Sequence, residues 1–173
     1  HQGGIMCIAG QSKAGKSSAL IQTALALAAG GDLFGHFRCE PAPVLLIAIE
    51  GTARQQHDRL RASLGFQQFR RWLPGDDAFL DHLHVATLPM NAILDADAVR
   101  RFARAHRRQH GPAGALIVDP VYLIDPLDEN RDENSADSTR RLLLNLSMAA
   151  AELEASLIYS HHYSKGNKAA VDF

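Results

Sequence analysis

The segment GIMCIAGQSKAGKSSALIQTALALAAGG, residues 4–31, decides the fold class of this 173-residue chain. It begins with a short apolar run at residues 4–9, which predicts a buried β-strand. It ends with an Ala- and Leu-rich run at residues 16–29 and two glycines, which predict an α-helix and its stop. Between the two, residues 10–17 read GQSKAGKS and match G-x-x-x-x-G-K-[ST] at every fixed position.

A glycine-rich loop between a buried strand and a helix is typical of a phosphate-binding loop. Its backbone N–H groups and the positive end of the helix attract phosphate. We expect Lys16 to neutralise phosphate oxygens and the Ser17 hydroxyl to ligate magnesium, which predicts ATP with Mg²⁺ as the ligand. The residues predicted to hold it are Gly10, Gln11, Ser12, Lys13, Ala14, Gly15, Lys16, Ser17 and Ser18. The alternative is a glycine-rich turn that binds no ligand.

Beyond this segment, apolar runs alternate with helical patterns. Strands are predicted at 44–49, 83–88, 115–119 and 156–160, and helices at 52–64, from a cap at Asp95 or Asp97 to about His110, and from a cap at Ser135 to about Glu154. Residues 32–43 and 120–134 are predicted to be loops. Because the strands are apolar on both faces, we expect an α/β fold with a mainly parallel sheet and helices on both faces.

Composition sets the broad class of protein. With 46% hydrophobic and 21% charged residues, the chain fits a single globular domain with a sizeable core. A net charge of -1 provides no overall attraction to nucleic acid or membranes. No run approaches the roughly 18 apolar residues of a membrane helix, and the opening HQGGIMCIAG lacks a basic start and an apolar run, so we expect no secretory signal. Cys7 and Cys39 lack CxxC spacing, so we expect reduced thiols and a cytoplasmic protein.

Two acidic residues follow predicted buried strands. Asp119 ends the run ALIVD, where a carboxylate can hold the water shell of magnesium, or can instead cap the following turn. Glu50 ends VLLIAI in the same way and can polarise the water that attacks the γ-phosphate. The alternative for Glu50 is a carboxylate stabilised by the N-terminus of the following helix.

His161 and His162 end the last predicted strand. One of them can hydrogen-bond the γ-phosphate and transmit its loss to the following loop, or both can be polar residues that leave a strand. A metal pair is disfavoured, because adjacent strand residues point to opposite faces. Lys165 and Lys168 farther on can reach nucleic acid or be solvated.

With these pieces placed, the chain resembles the RecA-like ATPases, and within them the RepA-type replicative helicases of plasmids, mobile elements and phages. The resemblance covers roughly residues 3–168 and rests on GQSKAGKSS, PAPVLLIAIEGTARQQHDRL, ALIVDP and LIYSHHYSKG. It implies that Glu50 is the catalytic carboxylate, Asp119 the metal aspartate and His162 the γ-phosphate sensor, with Lys16 acting in catalysis. Arg59 matches a helix arginine near the nucleotide, with an exposed position on an amphipathic helix as the alternative.

The resemblance also implies a homo-oligomeric ring, often a hexamer, with ATP between subunits and single-stranded DNA as a partner. In the family, the neighbouring subunit supplies an arginine finger from a strand beyond HH-x-SKG. The sequence opens without Met and stops at Phe173, so we expect a piece of a longer protein, truncated at both ends, that retains ATP binding better than turnover.

Two charged stretches bear on DNA binding. Residues 100–108, RRFARAHRR, put Arg100, Arg104, Arg107 and Arg108 near one another on a helix, as a phosphate-binding patch or as a solvated face, while Val99 and Phe102 can face the sheet. Residues 120–134 carry five acids, which would repel phosphate. A DNA motor, a non-motor switch that controls a protein partner, and a filament-forming recombinase are the competing functions, and the acidic loop disfavours the last.

Overall fold

A computed structural model describes residues 3–66, 70–75, 77–87, 95–124 and 136–162. Within them, five parallel strands form one sheet in the order β1-β7-β6-β4-β5, and β2 and β3 form a separate antiparallel pair. The strands are β1 (Ile5–Gly10), β2 (Asp32–Leu33), β3 (Phe37–Arg38), β4 (Val44–Ala48), β5 (Leu83–Thr87), β6 (Ala115–Asp119) and β7 (Ser156–His162). The parallel α/β sheet predicted from the alternating pattern is therefore confirmed.

In the described ranges, four α-helices cover the sheet: α1 (Lys16–Ala29), α2 (Ala53–Gly65), α3 (Ala96–His110) and α4 (Ala136–Glu152). Helix α1 ends at Gly30, whose left-handed φ of 65° suits glycine. Helix α2 begins with a capping box, in which Thr52 and Gln55 satisfy each other's backbone N–H groups. Of the two predicted caps for α3, Asp95 is the one observed, since its carboxylate accepts from Ala98 N at 2.5 Å.

The core forms two layers on opposite faces of the sheet. Helix α1 packs on one face through residues such as Leu20 and Leu25, and α2 contributes the partly buried Leu60 and Leu64. Helices α3 and α4 pack on the other face, where Leu146 is fully buried. All five residues of both β4 and β6 are buried, because these strands lie inside the sheet and are covered on both faces. The predicted helices on both faces are thus confirmed.

The strand pairing brings the predicted site residues to one edge. In the parallel register, Ala48 of β4 lies opposite Asp119 of β6, and Gly10 of β1 lies opposite His162 of β7. Since the carboxyl ends of parallel strands meet at one edge, the phosphate loop and the residues that follow β4, β6 and β7 become neighbours.

Three local predictions were wrong. Strand β1 was expected to be buried, but Ile5 is 59% exposed, because within the described residues β1 is an edge strand paired only with β7. Residues 32–43 were expected to form a loop, but they contain the hairpin of β2 and β3. Phe102 was expected to face the sheet with Val99, but it is 37% exposed and Ala103 is buried instead.

Some predictions lie outside the described residues. These are the cap at Ser135, most of the acidic segment from residue 125 onward, and Lys165 and Lys168. Helix α4 ends at Glu152, close to the predicted Glu154. Among the described helices, none combines the length and apolar character needed to cross a membrane. Both cysteines are free thiols, Cys7 exposed and Cys39 buried.

Candidate nucleotide-binding site

The loop between β1 and α1 has the backbone shape that its glycines suggest. Gly15 caps α1 in the left-handed region with φ 82°, a conformation that other residues adopt at a cost. Gly10 is different, because a Cβ there would meet Ala14 Cβ at 3.6 Å, an ordinary contact. The backbone conformation at position 15 therefore favours glycine. At position 10, the space around the backbone would also accommodate a Cβ atom.

Lys16 lies in the first turn of α1 with only 7% of its surface exposed. Its ammonium group donates to the carbonyl oxygens of Gly10 at 3.1 Å and Gln11 at 2.7 Å. It also lies 3.2 Å from Nδ1 of His162. The charge is thus held by neutral acceptors within the loop, and a phosphate oxygen placed there would be a stronger acceptor for the same protons.

Asp119 ends β6 and is 9% exposed, with Oδ1 accepting a hydrogen bond from the Ser160 hydroxyl at 2.5 Å. Asp119 and Ser17 line the same cleft and offer oxygen ligands, which Mg²⁺ prefers. In the described part of the chain, no group of three or more His, Cys, Asp or Glu side chains could hold a metal ion. The Ser17 hydroxyl and the Asp119 carboxylate suit a magnesium ion that takes its remaining ligands from phosphate and water.

Glu50 follows β4 and precedes the Thr52 cap of α2. Its backbone carbonyl accepts from the buried Gln56 side chain at 2.6 Å, which fixes the turn between strand and helix. Its carboxylate accepts a hydrogen bond from the hydroxyl of Tyr122. The carboxylate thus lines the cleft, and the first turn of α2 is capped by Thr52 instead.

Most of the predicted residues border one cleft of about 350 Å³. Its lining consists of Ser12, Lys13, Gly15, Lys16, Ser17, Ser18, Glu50, Arg59, Asp119, Tyr122 and His162. The other three predicted loop residues are not among the lining residues and have backbone roles. The carbonyls of Gly10 and Gln11 accept from Lys16, and Ala14 N donates to Gln11 O at 3.3 Å.

The two histidines of β7 take different positions. His162 lies in the cleft beside Lys16, whereas Nδ1 of His161 lies 2.6 Å from the carbonyl oxygen of His162. This separation agrees with the expectation that adjacent strand residues point apart. Of the pair, His162 is the one near the phosphate loop.

Arg59 is exposed on α2 and borders the cleft, and its contact with a nucleotide stays a prediction.

The α3 arginines lie elsewhere, and several of them are ion-paired. Arg100 and Arg104 both bind the Glu152 carboxylate, at 2.8 Å and 2.6 Å, and Arg107 pairs with Glu154. Three of the four arginines considered as a DNA patch therefore have acidic partners at the end of α4.

Sequence reasoning missed two residues of this site. Tyr122 lies in a 3₁₀ turn, Val121–Leu123, directly after β6, and Ser160 is a fully buried polar residue within β7. A serine in the apolar run SLIYS was a usable signal, because a buried hydroxyl needs a partner. Tyr122 had no comparable signal, since its contact with Glu50 joins residues 72 positions apart.

Comparison with solved structures supports the fold. The chain resembles two solved structures, one of a DnaB-like replicative helicase, studied with its interactions with primase, and one of the ATPase domain of a second protein. Each gives a TM-score of 0.67 at 15% sequence identity and covers 95% of this chain. The chain spans 40% of the first protein and 58% of the second. This likeness confirms the predicted RecA-like fold.

Among curated protein sequences, none matches this chain. A protein-family model described as an AAA domain matches residues 1–168, nearly the whole sequence. The chain therefore belongs to the AAA domain family.

Proposed function

We propose that this chain is the ATP-binding and Mg²⁺-dependent ATP-hydrolysing core of a replicative DNA helicase of the RepA type. The observation that supports it is the convergence of Lys16, Glu50, Asp119 and His162, from four separate segments, on one cleft beside a phosphate loop. A phosphate loop alone indicates nucleotide binding. A carboxylate in the same cleft as the loop supports hydrolysis as well.

Each cleft residue has a role suited to its position. Lys16 neutralises charge on the β- and γ-phosphates, and Ser17 and Asp119 are the residues that would hold magnesium, which would supply positive charge to offset the charge that develops on the phosphates. Glu50 orients the attacking water, for which position matters more than basicity. His162, 3.2 Å from Lys16, senses the γ-phosphate. Arg59 borders the cleft and can contact the nucleotide.

The assembly and the nucleic-acid partner are part of the same proposal. Two proteins with this fold are a replicative helicase and an ATPase domain, and by analogy this chain works in a homo-oligomeric ring on single-stranded DNA. The chain's net charge of -1 provides no overall attraction to DNA, and Arg100 and Arg104 of α3 share the Glu152 carboxylate. We therefore propose that DNA is contacted in the channel of the ring.

The motor function predicts a response to DNA. We expect ATP turnover, measured by phosphate release, to rise severalfold when single-stranded DNA is added, and to disappear in Lys16→Ala. Equal rates with and without DNA, in a protein that binds and hydrolyses ATP, would contradict the motor and favour a regulatory ATPase that controls a protein partner.

The role of Glu50 has its own test. Glu50→Gln keeps the shape of the side chain but removes its charge, so we expect ATP affinity within about threefold of wild type and a loss of hydrolysis of about 100-fold or more. Binding measured with a fluorescent ATP analogue and phosphate release separate the two effects. Loss of ATP binding in Glu50→Gln would show that the carboxylate has a structural role.

A further inference from the structure

Tyr122 connects two residues that the proposed function assigns to different tasks. Its hydroxyl donates to Oε1 of Glu50, and its ring packs edge-on against His162, with ring centroids 4.8 Å apart and an interplanar angle of 79°. Glu50 follows β4 and His162 ends β7. Since β6 lies between these strands in the sheet, a residue just past the end of β6 is placed to touch both.

The backbone that carries Tyr122 is well anchored. Val121 is 1% exposed and Ile124 is fully buried, and both belong to the core between the sheet and helices α3 and α4. Ile124 N also donates to Val121 O at 3.0 Å, which closes the turn. The buried side chains of Val121 and Ile124 therefore anchor the backbone of Tyr122, while the Tyr122 side chain borders the cleft.

Glu50, in contrast, is exposed and has a long side chain. An exposed glutamate samples several rotamers, and fixing it in one costs conformational entropy. A hydrogen bond from an anchored phenol to one carboxylate oxygen restricts this freedom and leaves the second oxygen available for water. Such a restraint is useful for a residue whose task is to position a nucleophile.

We propose that Tyr122 is a positioning residue for ATP hydrolysis, which holds the Glu50 carboxylate through its hydroxyl and couples it to the phosphate loop through His162. This inference rests on the proposed function, because it assigns a purpose to Glu50 and His162. The coupling passes through three successive contacts: Lys16 with His162, His162 with the Tyr122 ring, and the Tyr122 hydroxyl with Glu50. A phosphate that contacts Lys16 and His162 would therefore change the position of the His162 ring, against which the Tyr122 ring packs.

Two substitutions separate the hydroxyl from the ring. Tyr122→Phe removes the hydroxyl and keeps the ring contact with His162, whereas Tyr122→Leu removes both. In Tyr122→Phe we expect kcat for ATP to fall roughly tenfold with KM within about twofold, since the lost hydrogen bond orients the water and does not bind the nucleotide. Affinity for a non-hydrolysable ATP analogue with Mg²⁺ should match wild type.

A second readout does not depend on turnover. The side-chain carboxyl carbon of Glu50 can be followed by NMR, assigned by its disappearance in Glu50→Gln. In wild type we expect this resonance to move when the ATP analogue is added. In Tyr122→Phe we expect it to start at a different shift, because the hydroxyl no longer donates to the carboxylate. In both Tyr122→Phe and Tyr122→Leu we expect the part of the response that Tyr122 transmits to be lost, because the link from the ring to Glu50 is broken in each.

The outcomes are distinguishable. If Tyr122→Phe changes neither kcat nor the Glu50 resonance, the hydroxyl does not position Glu50 and the proposal is wrong. If wild type binds the ATP analogue but shows no turnover with or without DNA, the proposed function fails, and the NMR shift still decides whether Tyr122 holds Glu50. If Tyr122→Leu does not fold, the decision rests on Tyr122→Phe, which preserves the packing.

Discussion

Two regions of this molecule each gather cations, histidines and carboxylates, but they use them in opposite ways. One is the cleft around the phosphate loop, and the other is the surface where α3 meets α4. By sequence the second is the more basic, since residues 100–108 contain five arginines. In the structure, Arg100 and Arg104 share the Glu152 carboxylate, whereas Lys16 is held by the neutral carbonyls of Gly10 and Gln11. An arginine-rich stretch of sequence therefore does not by itself predict an anion site, because its charges can be paired with carboxylates.

The histidines repeat this contrast. His162 faces the cleft beside Lys16 and can take part in binding. His106 of α3 is 6% exposed and lies against two other histidines, with ring centroids 4.7 Å from His84 and 5.0 Å from His110. Its Nε2 lies 2.5 Å from Nδ1 of His84, and its Nδ1 is buried without a hydrogen-bond partner among the residues that the structure describes. The histidine cluster of α3 and β5 is therefore a packed group whose state depends on pH.

The largest expected effect concerns ligand binding and tests whether the two regions differ as described. Lys16→Ala removes the cation proposed to face the phosphates, so we expect ATP affinity to fall at least about 100-fold, or roughly 2.7 kcal/mol. Arg101→Ala on α3 is the matched control, which removes an exposed cation far from the cleft and should leave affinity unchanged. Titration with a fluorescent ATP analogue measures both. An equal loss of ATP affinity in Lys16→Ala and Arg101→Ala would show that the cleft and the α3 surface do not differ in nucleotide binding.

The next effect concerns pH and stability. Burial, and then the neighbouring His84 and His110, lower the pKa of His106 from 6.5 to about 4, and burial also lowers the pKa of His84. Because the folded state takes up its proton at lower pH than the unfolded chain, stability is fully present above pH 6.5 and is lost as pH falls toward 4. We expect the free energy of unfolding to drop by about 2 kcal/mol between pH 7.5 and pH 5.

Urea denaturation across this pH range measures the effect. His106→Leu should flatten the pH dependence, because leucine does not titrate and suits a buried position. His57→Ala is the control, since His57 is an exposed histidine on α2 with a side chain 65% accessible. An unchanged slope in His106→Leu would show that other groups cause the pH dependence.

The smallest expected effect concerns the arginine–glutamate contacts between α3 and α4. Pairing with Arg104 and Arg100 lowers the pKa of Glu152, so the carboxylate is charged at neutral pH. These contacts lie near the surface, with the Glu152 side chain 24% exposed, and such pairs are worth little individually. We expect Glu152→Ala to reduce the free energy of unfolding by about 1 kcal/mol, with less effect at high salt.

Glu40→Ala, at an exposed position outside α3 and α4, is the control for that measurement and should change stability by less than about 0.5 kcal/mol. Glu152→Ala should also leave ATP affinity unchanged if the two regions are independent. A clear loss of ATP binding in Glu152→Ala would show that they are coupled.

Local signals were sufficient for much of the fold. Periodicity located the strands and the helices, because buried parallel strands are apolar on both faces and amphipathic helices are not. Local sequence signals could not show that β1 is exposed, because Ile5 and Met6 are as apolar as the residues of β6. Strand β1 is exposed because it lies at the edge of the described sheet, which depends on strand order. Local signals also missed the β2–β3 hairpin, whose strands have two residues each and no detectable period.

The candidate site divides in the same way. The sequence by itself predicted a phosphate-binding loop, with Lys16 and Ser17 in fixed positions, because that candidate site is built from one continuous segment whose chemistry follows from residue type and spacing. The tertiary structure decided which distant residues join it and which charges are neutralised elsewhere. The contacts of Tyr122 with Glu50, of Ser160 with Asp119, and of Arg104 with Glu152 join residues 41 to 72 positions apart. Such contacts depend on strand order and helix packing, which a local pattern of residues does not predict.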